Sequence, residues 1–290
     1  MDKLWPVCFA QGQVQAVKAL LRANANPEHT TSTETALTWA VRSARVAVVE
    51  ALILGGSRVG ARNSKNLGAL QLASIGGAGC NGSSGDCAAI MRAILKAVDA
   101  DCEQQTGRET DTWTALHYAA RNGVVATEAL LAAGCNVNVR SPTGFTPLMR
   151  ASATGSLEVV LALLRHPGVS IDAQTRGSNC AGKKNCRTGS ALLYACANGH
   201  GRLAVALLDA GADGALMGNG HNCLSKAAVN RSAATVKLVC SSHPALCSSQ
   251  DRYTAFLRAI KVSSGSKRES CSSSLLVPDY RTYLYQGQPH

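Results

Sequence analysis

The chain has 290 residues, 46% of them hydrophobic, 16% charged and 4% aromatic, which excludes wholesale disorder and allows one or two domains or one long array. Lys and Arg number 29 against 18 Asp and Glu, so the net charge is +11; the balance favours an acidic partner, although no basic run reaches five residues and a generally soluble surface explains it as simply. The longest apolar run, Val46 to Leu54, is broken by Glu50 and is too short for a bilayer span, and the opening Met1-Asp2-Lys3-Leu4-Trp5-Pro6 lacks the pattern of a secretory signal. A soluble chain in the cytoplasm, or in the nucleus, is expected.

The elements recur. A first apolar helix is anchored in turn on Trp5, Leu37, Leu70, Leu116, Leu148, Leu192, Leu224 and Phe256, with steps of 32, 33, 46, 32, 44, 32 and 32 residues. The pattern is densest in Thr114-Ala115-Leu116-His117-Tyr118-Ala119-Ala120-Arg121-Asn122-Gly123, in Thr146-Pro147-Leu148-Met149-Arg150-Ala151 and in Ser190-Ala191-Leu192-Leu193-Tyr194-Ala195. Each of these is followed by a second apolar stretch ending in Leu130-Leu131, Leu163-Leu164 or Leu207-Leu208. Thr114 and Thr146 stand where a helix N-cap is needed, and Pro147 occupies a first turn where a missing N–H costs nothing. Gly123 and Gly155 read as stops of the first helices. Helices of about ten residues are marginal alone, so neighbouring units must stabilise one another.

Both long steps can be placed. In the unit at Leu70 the loop between the helices is enlarged over residues 78–87, with the second helix beginning near Ala88. In the other, the turn after Leu164 is enlarged over residues 174–187, which are polar and glycine-rich. Residues 263–290 read as a serine-rich flexible linker followed by a short tyrosine-rich tail, leaving residues 1–262 for the repeats.

This pattern resembles the ankyrin repeat, with its period of about 33 and T-P-L-H-x-A signature. The resemblance implies an all-α solenoid of about seven to eight helix-turn-helix units carrying β-turn fingers. It implies a structural role for His117, tying neighbouring turns by hydrogen bonds. It also implies a partner protein on a concave surface formed by finger tips and first helices. On that basis Trp113, Phe145, Arg121, Asn122, Arg42, Arg187, Asn198, His221 and Tyr253 are the candidate partner-binding residues, because Trp, Tyr and Arg dominate interface hot spots. The simpler alternative is that Trp113 and Phe145 pack against adjacent fingers.

No catalytic constellation stands out, and no cofactor or metal is expected. The cysteine pairs Cys80/Cys87 and Cys180/Cys186 lack the spacing of a structural zinc site, so free thiols, or a disulfide within each loop, are the readings that remain. The expected function is a non-catalytic protein-binding scaffold. The alternative is a ubiquitin-ligase substrate adaptor, since residues 276–285 are faintly similar to the end of a suppressor-of-cytokine-signalling box; the serine-rich stretch before them lacks the first helix of that box. Nucleic-acid binding has no groove-reading motif behind it.

Overall fold

The computed structural model describes residues 13–28, 34–76, 84–97, 103, 113–175, 189–218, 221–230 and 232–246. The anchors Trp5 and Phe256, residues 77–83 and 176–187 of the two inserts, and the linker and tail at 263–290 lie outside the described residues, as do Arg187 and Tyr253.

The described residues are helical, with no strand among them. In chain order the helices are α1 Val14–Arg22, α2 Ala36–Arg42, α3 Val46–Leu54, α4 Ala69–Ile75, α5 Ser84–Leu95, α6 Ala115–Asn122, α7 Val124–Ala132, α8 Pro147–Thr154, α9 Leu157–Leu164, α10 Ala191–Ala197, α11 Gly201–Asp209, α12 Cys223–Val229 and α13 Ala233–Ser242. The second helix of the unit at Leu70 thus starts at Ser84, four residues before the expected Ala88. Asp86 in its first turn suits the positive helix terminus.

The chain divides into two compact units. The first contains α1 to α7, the start of α8 and most of α9. In it α2 packs on α3, α4 on α5 and α6 on α7, which makes helical hairpins. The first helices α2, α4 and α6 then pack in series, as do the second helices α1, α3, α5 and α7. Between these layers lie Leu37, Leu52, Leu70, Ile90, Met91, Ile94, Leu116 and Leu130, all at most 4% exposed. The second unit, containing α10 to α13, repeats the arrangement: α10 packs on α11 and α12 on α13, with α10 against α12 and α11 against α13.

The helix starts follow from side-chain chemistry. Thr35 and Thr38 cap α2 reciprocally: the Thr38 amide donates to Thr35 Oγ1 (3.2 Å) and the Thr35 amide to Thr38 Oγ1 (2.9 Å). Asn222 Oδ1 accepts from the Ser225 amide at 2.9 Å and opens α12 the same way. Pro147 begins α8, with the Met149 amide donating to Thr146 Oγ1 at 3.3 Å.

The two glycines read as stops differ. Gly155 has φ +82°, and a Cβ there would come within 2.5 Å of the His200 ring, so both conformation and space require glycine. Gly123 has φ 172°, extended backbone open to any residue, and it serves as both the C-cap of α6 and the N-cap of α7.

Candidate functional site

Among the described residues, three of the fingers that precede hairpins close by one repeated device. The Asn63 amide donates to the Leu67 carbonyl at 2.9 Å, Ser141 to Phe145 at 2.9 Å and Thr175 to Gly189 at 3.2 Å. The side chain of the same first residue reinforces the closure. Asn63 Oδ1 accepts from the amides of Lys65 and Leu67, Ser141 Oγ from Phe145 and Thr175 Oγ1 from Gly189, at 3.0 to 3.1 Å. The pair Thr175 and Gly189 is 14 residues apart in sequence, so this closure brackets a much longer segment than the other two.

Side chains also tie one finger to the next. Glu28 Oε1 accepts from the Arg58 amide (2.6 Å), and Asn138 Nδ2 donates to the Gly168 carbonyl (2.7 Å). Within the second unit Asp172 Oδ1 accepts from the Asp213 amide at 3.0 Å.

On this frame the chain carries an aromatic group around Trp113. The indole meets the His117 ring edge-on at a centroid distance of 5.0 Å and the Phe145 ring at 5.8 Å. The Arg150 guanidinium lies over it, 4.4 Å from the ring centroid, a cation–π geometry. Trp113, Phe145 and Arg150 are half-buried, so one side of the group reaches solvent.

His117 anchors the group from beneath. It is 1% exposed. Its Nδ1 lies 2.8 Å from Thr114 Oγ1 and 3.3 Å from the Thr114 amide, and its Nε2 lies 3.0 Å from the Phe145 carbonyl. The backbone amide can only donate, so Nδ1 accepts, and a neutral ring then carries its proton on Nε2 for the carbonyl. Burial pushes the His117 pKa down to about 4; the Phe145 carbonyl opposes this shift and the Arg150 charge adds to it. At neutral pH this is an uncharged bolt between two units, the role the resemblance implied.

The remaining candidates are dispersed. Arg121 is exposed in the last turn of α6, and Asn122 is the final residue of that helix. Arg42 ends α2 and is committed to an ion pair, its Nη1 3.2 Å from Oε1 of the buried Glu34. Asn63 Nδ2 donates to the other Glu34 oxygen at 3.2 Å, so the carboxylate joins two successive units. In the second unit Asn198 uses its Nδ2 on the Ala153 carbonyl (2.8 Å), which makes it a capping group. His221 closes its own finger by exchanging backbone bonds with Gly218 at 2.9 and 3.1 Å.

Two features were missed from sequence. Arg150 lies two residues beyond its anchor, on the exposed side of a first helix, and that offset could have revealed it. The state of the cysteines had no such signal: Cys87, for which free thiol and disulfide had both remained open, is disulfide-bonded, and so is Cys135, which the sequence had not singled out. Cys196, Cys223 and Cys240 are thiols outside any disulfide, and the first two are buried.

The fold these observations define is a stack of helical hairpins joined by side-chain-braced fingers. The fold is the ankyrin-repeat fold. Residues 78–175 match the family described as ankyrin repeats in three copies. The structure is similar to that of the ankyrin repeat domain of Bcl-3, a member of the IkappaB protein family, at 24% identity over 81% of this chain and 96% of that one, with a TM-score of 0.64. It is likewise similar to the human ASB11 ankyrin repeat domain, at 22% identity over 82% of this chain and 97% of that one, with a TM-score of 0.64. No curated protein matches the chain. No described helix is long and apolar enough to cross a membrane.

Proposed function

We propose that this chain is a non-catalytic scaffold that holds a partner protein against the face built from its first helices and fingers. The observation that carries the reading is the Trp113, Phe145 and Arg150 group. It offers a wide aromatic surface whose side chains are already ordered, so little rotamer entropy is lost when a partner covers them. The non-catalytic reading is supported by His117, whose Nδ1 is committed to Thr114 at the start of its own helix and whose Nε2 is committed to the Phe145 carbonyl of the next repeat. The charge of +11 favours an acidic partner over a neutral one. The disulfides at Cys87 and Cys135 favour an oxidising compartment over the cytoplasm expected from the sequence, since reducing compartments keep thiols free.

The test is affinity capture with quantitative mass spectrometry on four full-length proteins: wild type, Arg121→Glu on the proposed face, and Glu50→Arg and Glu128→Arg on second helices. The proposal expects partners captured by wild type to be lost from Arg121→Glu alone. Equal capture by Arg121→Glu, with loss from Glu50→Arg or Glu128→Arg, would place the interaction on the other side of the fold.

A further inference from the structure

Two thiols meet where successive first helices of the second unit pack together. Cys196 lies in α10 and Cys223 opens α12, and these helices lie against each other. Both side chains are at most 1% exposed. The Cys223 thiol donates its one proton to the Gly214 carbonyl at 3.5 Å. A hydrogen bond also joins the two sulfurs; with the Cys223 proton committed, Cys196 donates in it and Cys223 accepts.

The pair is unusual for its place in the repeat. Cys196 stands four residues after the anchor Leu192, and Cys223 one residue before the anchor Leu224. At the same offsets the preceding steps hold Ser152 with Ala191, Ala120 with Pro147, Ser74 with Ala115 and Val41 with Ala69, none of them a cysteine. Close packing of helices is met at those steps without sulfur, so packing alone does not call for a thiol on both sides of this one. Sulfurs held in contact from facing helices are near the approach that a disulfide needs.

Access is what restrains the pair. The hydrogen bond to Cys223, and then burial, hold the Cys196 pKa well above its ordinary value, so the closed fold offers no reactive thiolate there. Given the disulfides at Cys87 and Cys135, an oxidant of the disulfide class is the co-reactant to expect.

We infer that Cys196 and Cys223 form a redox-sensitive latch between two repeats: when α10 and α12 part, a small disulfide such as glutathione disulfide oxidises the pair, and the new bond joins the repeats on closing. One protein thiolate attacks the small disulfide, giving a mixed disulfide and releasing one glutathione. The second protein thiolate attacks the sulfur of the first cysteine and releases the other glutathione. Two protein thiols are thereby oxidised to one disulfide, one glutathione disulfide is reduced to two glutathione thiols, and the two protons end on them. Reduced repeats part and close, whereas oxidised ones stay joined.

The experiment holds the full-length chain with glutathione disulfide at the lowest urea concentration at which a maleimide labels Cys196 and Cys223. The urea is then removed, and the chain is mapped as peptides without reduction. A peptide pair linked through Cys196 and Cys223 is expected. The melting temperature should lie about 5 °C or more above that of chain taken through the same cycle without oxidant. That rise should be absent from Cys196→Ala and Cys223→Ala, and present in Cys240→Ala, which removes the other described thiol. Separate glutathione adducts on the two residues, linkage of either to a different cysteine, or recovery of both as thiols would overturn the inference. A linked pair that melts no higher than the untreated chain would overturn the latch as well.

Discussion

His117 Nε2 sits 3.0 Å from the carbonyl oxygen of Phe145, 28 residues further along the chain, and so one imidazole bolts two successive ankyrin units together. The ring is buried and its pKa is pushed down to about 4, below an ordinary histidine value of 6.5. Between those values the unfolded chain holds a proton that the folded chain rejects, so stability falls as pH drops from 6.5 and levels off below 4. The loss amounts to roughly 3 kcal/mol. Urea unfolding at a series of pH values should show it, and His117→Gln should flatten that part of the profile while lowering stability at neutral pH. An unchanged slope in the variant would remove His117 as the cause.

The aromatic group is structural as well as exposed, which changes what truncation does. Trp113 packs on both His117 and Phe145, so Trp113→Ala should destabilise the fold by about 2–4 kcal/mol. Arg150→Met keeps the stem and removes the charge over the indole, at a cost of about 0.5–1 kcal/mol. Thermal unfolding of both variants checks the ranking. A Trp113→Ala protein that melts like wild type would mean that the ring lies free at the surface.

Glu34 should matter more than the arginine that meets it. Its carboxylate is 6% exposed and serves both Arg42 and Asn63. Glu34→Ala leaves the buried Asn63 amide short of an acceptor and should cost about 1–3 kcal/mol. Arg42 is 44% exposed and its loss should cost less. Denaturant midpoints compare the two, and a costlier Arg42→Ala would reverse this account of the pair.

Cysteine labelling separates three classes of thiol. Cys87 and Cys135 should resist alkylation until a reductant is added. Cys196 and Cys223 should resist it until the chain unfolds, because both are buried and the Cys196 thiol pKa is raised, first by its hydrogen bond with Cys223 and then by burial. Peptide mass spectrometry after sequential labelling reads each site. Labelling of Cys87 in the folded, unreduced protein would remove the argument for an oxidising compartment.

Much of the fold was legible because its determinants are local. The anchors, the caps at Thr114 and Thr146 and Pro147 at the start of α8 are properties of one helix and its flanks, and the sequence displays them at a fixed period. The pairing of side chains from different units was less legible. Arg42 and Asn198 look like free polar groups at the ends of first helices, yet Arg42 turns back to the buried Glu34 and Asn198 to a carbonyl 45 residues earlier. Spacing shows that such residues occur at equivalent positions, and it does not show which neighbour satisfies them. The disulfides were illegible for the same reason, since cysteine pairing depends on which chain segments meet in space.

The most direct test of a partner-binding first-helix face is hydrogen exchange on the full-length chain, alone and in complex with a partner recovered by affinity capture. Slowed exchange should appear in residues 57–68, 115–122 and 136–146, with the second helices α3, α5 and α7 unchanged. Protection confined to those second helices, with the Trp113 region exchanging as in the free chain, would contradict the account.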